Sequence, residues 1–243
     1  MSALGASEQF SVGHPSAPTL NRLLSALPRA QYLSMESHLE FVDLSFGQRL
    51  YEVDAPIEHV YFPNDTVISL LTEVDSHRAL EVGMVGPEGL LGASLALGSK
   101  VSPVHALVQG SGSAVRLKST VFLREFRRGL SLQRDALLYA HSLMSQIAQT
   151  AACNRFHSLE PRLARWLLMT RDRVGSDHFY LTQEFLSAML GVRRVGVSNA
   201  AHALKSRQVI DYSRGNIEIM DGRALEASAC SCYAIVKGRH GHS

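Results

Sequence analysis

The chain has 243 residues, of which 46% are hydrophobic and 19% charged, a balance that suits one large or two ordinary globular domains and excludes a disordered protein. No apolar run reaches the roughly 18 to 20 residues of a membrane span, and residues 1–19 lack the pattern of a secretory signal, so we expect a flexible tail there and a cytoplasmic protein with no membrane partner. Three cysteines are too few for a disulfide framework.

The net charge of +2 is divided unevenly along the chain. Residues 1–157 contain 12 Lys or Arg against 14 Asp or Glu, whereas residues 158–243 contain 12 against 8. The C-terminal third is therefore the positive part of the molecule, which favours a polyanionic partner.

The first half of the chain predicts a β-domain over residues 20–130. From Phe41 to Leu117, runs rich in Val, Ile, Tyr and Phe alternate with turn residues about every 8 to 12 positions, which is typical of an antiparallel sandwich or roll. One or two short helices precede these strands, as predicted by the helical spacing of Leu20, Leu23, Leu24 and Leu27.

A single long helix is predicted over residues 131–157, because no glycine interrupts the chain from about Ser131 to Arg155. Two stripes of apolar or small side chains follow it at spacings of three and four. The stripe predicted to cover the β-domain is Ala136, Ala140, Leu143 and Ile147. The second stripe indicates a homodimer formed through a two-fold contact, and it consists of Leu137, His141, Met144, Ala148 and Ala151. A chain that packs both stripes internally is the alternative.

The segment that follows predicts a helix-turn-helix. A first helix is capped by Ser158 and ended by Gly175. Thr182 can then cap a second, short helix, which ends at Gly191 because glycine supplies the necessary backbone freedom. A third helix begins near Arg194, and in such a motif the N-terminal end of this last helix enters the major groove of DNA.

The exposed side chains of the last helix suit DNA. Arg194 can donate two hydrogen bonds to guanine, Asn199 can pair with adenine or a phosphate, and Val195 can contact a thymine methyl. After Glu184 the segment contains no carboxylate to neutralise its basic side chains. The predicted DNA-binding residues are Arg193, Arg194, Val195, Ser198, Asn199, His202, Lys205 and Arg214, with Arg207 as a further phosphate contact.

A β-hairpin is predicted from Val209 to Met220, directly after this helix. Such a hairpin is a wing, and its tip places Arg214 near a phosphate. We assign residues 158–235 to a winged helix-turn-helix domain and residues 236–243 to a tail.

In this order of modules the chain resembles the Crp/Fnr superfamily of bacterial transcription regulators, over about residues 20–235. The resemblance is carried by "VGMVGPEGLLGASLALG" in the β-domain and "LTQEFLSAMLGVRRVGVSNAAHALK" in the DNA-binding domain. It implies an α+β chain with a cyclic-nucleotide-binding-like antiparallel β-roll, a dimerisation helix and a C-terminal winged helix-turn-helix. It also implies a homodimer that binds a palindrome in double-stranded DNA, with RNA polymerase as a further partner and no enzymatic activity.

The chain departs from the family at the positions that bind cyclic AMP. The resemblance places Ala93 where those members carry a ribose-binding Glu, and Val104 and His105 where they carry a phosphate-binding Arg and its hydroxyl neighbour. Since a buried phosphate without a cationic partner is costly, we expect no cyclic AMP binding in the usual mode. The cysteine run of the iron–sulfur members is also missing, so the effector stays unassigned and a regulator without one stays open. The family's Arg-Glu pair becomes Arg194-Val195, which predicts a different base preference.

Four side chains could in principle form a metal or redox site, Cys153, His157, Cys230 and Cys232. The Cys-x-Cys spacing is not the usual zinc spacing and buried thiols are common, so no metal site is predicted. His77 and His105 could respond to pH, although a lone histidine is more often ordinary packing.

Two other interpretations stay open. The β-roll could regulate a protein partner that the helix-turn-helix contacts, in which case nucleic-acid binding would lack a steep salt dependence. An enzyme that uses Cys153 with His157 would need a cleft and an orienting group, neither of which the sequence indicates.

Overall fold

A computed structural model describes residues 20–75 and 78–240. The tail predicted for residues 1–19, the histidine at position 77 and residues 241–243 lie outside this part of the chain. Within it, no helix combines the length and the apolar character that crossing a lipid bilayer requires.

The N-terminal half is an antiparallel β-roll, as predicted. Two sheets with strand orders β1-β7-β3 and β2-β6-β4-β5 enclose one apolar core. The strands are β1 (Glu40–Leu44), β2 (Arg49–Tyr51), β3 (His59–Pro63), β4 (Ile68–Asp75), β5 (Arg78–Val85), β6 (His105–Val108) and β7 (Gly112–Lys118). A short 3-10 turn, Ala93–Leu95, lies in the long connection between β5 and β6.

Two short helices precede the roll, α1 (Arg22–Ser25) and α2 (Arg29–Glu36). The buried side chain of Asn21 caps α1 by accepting hydrogen bonds from the backbone N–H groups of Leu23 and Leu24, each at 3.1 Å. These two leucines are buried as expected, whereas Leu20 is 64% exposed because it precedes the cap.

The long helix follows the roll after α3 (Ser119–Phe126). It spans α4 (Ser131–Phe156), close to the predicted bounds. Ala136 and Ala140 are buried against the roll, and Gln146 pairs with the edge of β5. Its amide oxygen accepts a hydrogen bond from the backbone N–H of Met84 at 2.7 Å, and its amide nitrogen donates to the carbonyl of the same residue at 3.2 Å. One face of α4 therefore covers the β-domain, as its sequence pattern predicts.

The C-terminal part is a winged helix-turn-helix. Its elements are α5 (Leu159–Val174), β8 (His178–Tyr180), α6 (Gln183–Leu190), α7 (Arg194–Ser206), β9 (Ile210–Ser213), β10 (Asn216–Ile219), α8 (Gly222–Ser228) and α9 (Cys232–His240). The strands form a small antiparallel sheet in the order β8-β10-β9. Residues 236–240, predicted as a tail, instead belong to α9, which buries Tyr233 and Val236 against the domain core.

Candidate nucleic-acid interface

The turn between α6 and α7 is built as the sequence predicts. The Thr182 hydroxyl oxygen accepts a hydrogen bond from the backbone N–H of Phe185 at 3.1 Å and so caps α6. Gly191 ends α6 with φ of 63°, a left-handed conformation that favours glycine. A Cβ added to Gly191 would lie 2.6 Å from the Leu80 side chain of β5, so the turn also lies directly on the roll.

Helix α7 separates into a buried and an exposed face. Val197, Ala201 and Leu204 are buried, which is the inward set that the helical spacing predicts. The predicted contact residues on the outer face are exposed except for the half-buried Ser198, and they are Arg193, Arg194, Val195, Asn199 and His202. Val195 is 70% exposed, so an apolar side chain stands in solvent beside the arginines.

Some basic side chains of the stretch after Glu184 have carboxylate partners, contrary to the expectation that nothing neutralises them. Lys205 lies 2.6 Å from the carboxylate of Asp211 and donates a hydrogen bond to the carbonyl of Tyr212 at 3.2 Å. Arg207 forms an ion pair with Glu160. Both carboxylates lie outside the carboxylate-free segment: Asp211 directly follows it, whereas Glu160 is 47 positions from Arg207.

The start of α7 keeps its positive charge available. Among the described residues, no carboxylate lies within ion-pair distance of Arg193 or Arg194. Arg194 donates only a long hydrogen bond, 3.4 Å, to the side-chain oxygen of Gln183, and both groups are exposed. Free charge is therefore concentrated at the N-terminal end of α7.

The wing is a tight hairpin. Ser213 pairs with Asn216 across a two-residue turn in which Arg214 and Gly215 have φ of 51° and 88°. Arg214 is exposed at the tip, as predicted, and the Tyr180 ring packs so closely on Gly215 that an added Cβ would lie 2.8 Å away.

A buried polar seam joins the DNA-binding domain to the roll, and we define it as Ser69, Glu81, Glu88, Trp166 and Arg173. Glu81 of β5 accepts hydrogen bonds from the Ser69 hydroxyl at 2.6 Å and from the Trp166 indole N–H at 2.8 Å. Arg173 of α5 lies 2.8 Å from the Glu88 carboxylate. Burial raises the pKa of Glu81 to about 7 despite these two hydrogen bonds. The seam fixes α5, and with it the domain, on the roll.

The second face of α4 is uncovered. All the residues predicted for dimerisation are exposed, namely Leu137, His141, Met144, Ala148 and Ala151. The Met144 side chain is 59% exposed, which is unusual for a large apolar side chain in the middle of a helix. The described part of the chain therefore does not bury the face that the sequence predicts to dimerise, which we call the dimerisation face.

A small cavity of about 170 Å³ lies between the roll and α4. Ala93 and Val104 are among its lining residues, and no charged residue of the described chain lines it. His105 instead contacts two carboxylates, Glu52 at 2.6 Å and Glu73 at 3.1 Å. The cavity therefore has largely apolar walls and no cationic partner for a phosphate among the described residues.

The sequence predicts no metal site, yet the fold brings four possible ligands together. The end of α4 and the start of α9 form a thiol–imidazole cluster of Cys153, His157, Cys230 and Cys232, whose ligand atoms all lie within 4.8 Å of one another. The spacing of four between Cys153 and His157 on one helix, together with the Cys-x-Cys pair, was the only local signal.

Comparison with known domains identifies the DNA-binding part. Residues 161–228 match the family model described as a Crp-like helix-turn-helix domain. The chain carries a Crp-like helix-turn-helix domain. No protein of curated function matches the chain significantly in sequence.

Solved structures share the fold of this Crp-like chain over nearly their whole length. FixK2 from Bradyrhizobium japonicum has a TM-score of 0.68 at 14% identity, covering 79% of this chain and 98% of its own. A Eubacterium rectale protein assigned to the Crp/Fnr family of transcriptional regulators has 0.66 at 15%, covering 85% and 96%. CLP from Xanthomonas campestris, a global regulator responsive to c-di-GMP, has 0.62 at 14%, covering 79% and 99%. The chain thus combines the Crp/Fnr fold with a Crp-like DNA-binding domain, as its sequence predicts.

Proposed function

We propose that the chain is a sequence-specific transcription regulator that binds a palindromic site in double-stranded DNA as a homodimer. The observation that carries the proposal is the uncovered N-terminal end of α7, where Arg193 and Arg194 have no carboxylate partner in the described chain. In helix-turn-helix proteins this end of the last helix contacts base edges. Resemblance to regulators rather than enzymes supports the same function.

Each exposed residue of α7 has a role that its chemistry allows. Arg194 donates two hydrogen bonds to a guanine, Asn199 pairs with an adenine or a phosphate, and Val195 contacts a thymine methyl. Arg193 and the wing residue Arg214 bind phosphates and so set the position of the domain on the duplex. Ser198, His202 and Lys205 complete the surface, with Lys205 contributing less charge because Asp211 already pairs with it.

The dimerisation face of α4 supplies the second half of the site. Two copies that pair through this face place two α7 helices in successive major grooves, roughly 34 Å apart. A self-complementary contact of this kind produces two-fold symmetry, which a palindromic DNA site matches. RNA polymerase as a further partner and the cytoplasm as the location rest on the family resemblance.

The cavity limits the choice of effector. Its apolar walls and the lack of a lining cation in the described chain argue against cyclic AMP in the usual mode, because a buried phosphate would have no charge-assisted partner. We therefore propose that DNA binding is regulated by a small uncharged effector, or by none.

Selection of genomic DNA fragments by the purified, effector-free protein at two salt concentrations tests the proposal. We expect one palindromic motif, and we expect Arg194→Ala to lose the motif while keeping weak, salt-sensitive binding. The specific affinity should fall about 10- to 100-fold per half-site, the equivalent of about 1–3 kcal/mol for a bidentate guanine contact. His38→Ala, an exposed substitution in the connection between α2 and β1, is the control and should retain the motif.

Two outcomes would contradict this. An Arg194→Ala variant with an unchanged motif would remove that residue from base recognition. Fragment binding with no motif and no steep salt dependence would favour a protein partner instead of DNA.

A further inference from the structure

The thiol–imidazole cluster has the geometry of a tetrahedral metal site. The Cys153 and Cys230 sulfurs lie 3.5 Å apart, and the Cys232 sulfur lies 3.5 Å from Nδ1 of His157. Zinc bound at about 2.3 Å from sulfur and about 2.0 Å from nitrogen requires ligand atoms separated by about 3.5 to 3.8 Å. The other ligand atoms lie within 4.8 Å of one another, so the side chains need to move by about 1 Å or less to enclose an ion.

The number and type of ligands also match. Three thiols and one imidazole make a Cys₃His set, one of the closed sets that bind structural zinc. Cys153 and Cys232 are each 1% exposed and Cys230 is 9% exposed, so the site has little room for water as a further ligand. Soft thiolates favour zinc over magnesium or calcium, which take oxygen ligands.

The surroundings fit the charge of a loaded site. One Zn²⁺ with three thiolates and a neutral imidazole carries a net charge of −1. Arg165 is 6% exposed, donates one hydrogen bond to Thr150 at 2.9 Å, and has a second buried nitrogen, Nη1, without a partner in the described chain. The buried positive charge of Arg165 beside the cluster, with one N–H group unpartnered in the described chain, suits a site of net negative charge.

A second residue orients the ligands. The side-chain amide of Gln149, one turn before Cys153 on α4, donates a hydrogen bond to the Cys232 sulfur at 3.1 Å. Hydrogen bonds of this kind to ligating atoms are a regular part of metal sites.

We propose that Cys153, His157, Cys230 and Cys232 bind one Zn²⁺ ion per chain, which joins the end of the dimerisation helix α4 to the C-terminal helix α9. On binding, four bonds form to the three sulfurs and to Nδ1 of His157, and the protons of the three thiols pass to solvent. The site is structural, because all four positions are held by protein side chains. It is independent of the DNA-binding function, since its ligands lie outside the exposed face of α7.

The first experiment measures metal in the full chain, purified without an affinity tag. We expect one zinc per chain by elemental analysis. Replacement of zinc by Co²⁺ should give the thiolate charge-transfer absorption and the intense visible bands of tetrahedral cobalt. Cys153→Ser, His157→Ala and Cys230→Ser should each lose the zinc and the cobalt spectrum.

Two control variants separate this site from chance chelation. His38→Ala removes an exposed histidine between α2 and β1, and the double variant His240→Ala/His242→Ala removes histidines near the C-terminus of the sequence. Both should keep one zinc per chain. Gln149→Ala keeps all four ligands and should bind zinc about 10- to 100-fold more weakly. An unchanged helix content of this variant would exclude a folding defect as the cause.

Three results would overturn the proposal. The first is a wild-type chain that contains no zinc after expression in zinc-supplemented medium and gives no cobalt spectrum. The second is zinc that is retained by all ligand variants but lost in the His240/His242 variant. The third is a thiol titration that finds one free thiol in place of three in the freshly purified chain, which would show a disulfide in the cluster.

Discussion

Arginines in two regions of this molecule carry the same charge in opposite surroundings. Arg193 and Arg194 are exposed at the start of α7 without a carboxylate partner in the described chain, whereas Arg173 is buried against Glu88 in the seam between α5 and the roll. A buried guanidinium requires its carboxylate and so fixes a contact within the protein. An exposed guanidinium without one is available to an external anion. The partner of an arginine, rather than the arginine itself, therefore decides whether its charge is satisfied within the protein or stays available outside it.

The largest expected effect comes from breaking the buried pair. Arg173→Met leaves the Glu88 carboxylate, whose side chain is 11% exposed, without its cation, and we expect the free energy of unfolding to fall by about 3–5 kcal/mol. Denaturant titration measures this change. Arg194→Ala is the matched exposed substitution and should alter the stability by less than about 0.5 kcal/mol. A loss below about 1 kcal/mol for Arg173→Met would show that the seam does not hold the domain on the roll.

A somewhat smaller effect is expected at the other end of the seam. Because burial raises the pKa of Glu81 from an ordinary 4.5 to about 7, the folded protein keeps a proton that the unfolded chain releases. The contribution of Glu81 is therefore fully present below pH 4.5 and is lost as the pH rises to about 7, by about 3 kcal/mol at most. Glu81→Gln should remove this part of the pH dependence and raise stability at pH 8.

Unfolding of the wild type and of Glu81→Gln at several pH values from 5 to 8 checks this prediction. Glu218→Gln is the control, since Glu218 is exposed on the wing and should leave the pH profile unchanged. Parallel profiles for the wild type and Glu81→Gln would mean that Glu81 is not a source of the pH dependence.

The smallest expected effects concern the salt dependence of DNA binding, which we compare for substitutions at the two ends of α7. Arg193→Ala should reduce the slope of log affinity for DNA against log salt concentration by about one per substituted side chain, because a free cation releases a counterion from DNA. Lys205→Ala should change the slope much less, since Asp211 already neutralises that side chain. Equal slopes for the two variants would show that Lys205 leaves Asp211 when DNA binds.

Local signals explain why much of the fold and the orientation of α7 could be predicted. Thr182 and Gly191 mark the ends of α6 within a few residues, and the spacing of Val197, Ala201 and Leu204 orients α7 without knowledge of the rest of the chain. These features depend on backbone geometry and on periodicity, both of which a short window of sequence records.

Contacts between distant residues could not be predicted in this way. Glu160 is 47 positions from Arg207, and Cys153 is 77 positions from Cys230, so neither the ion pair nor the thiol–imidazole cluster has a local pattern. Helix α9 was not predicted from the sequence for a related reason. Gly238 and its basic neighbours are typical of a tail, whereas α9 is stabilised by contacts with distant residues, among them the burial of Tyr233 and Val236 in the domain core.

The close contact between Gly191 and Leu80 links the shape of the turn to its packing on the roll. Because Gly191 has no Cβ, it can adopt the positive φ that the turn of the helix-turn-helix requires. For the same reason the turn can pack closely on Leu80 of β5. The turn therefore contacts β5 as well as connecting α6 to α7, in addition to the contact that Glu81 of β5 makes with Trp166. A larger side chain at position 191 would disturb both the backbone of the turn and its packing on Leu80, so a single substitution affects the two together.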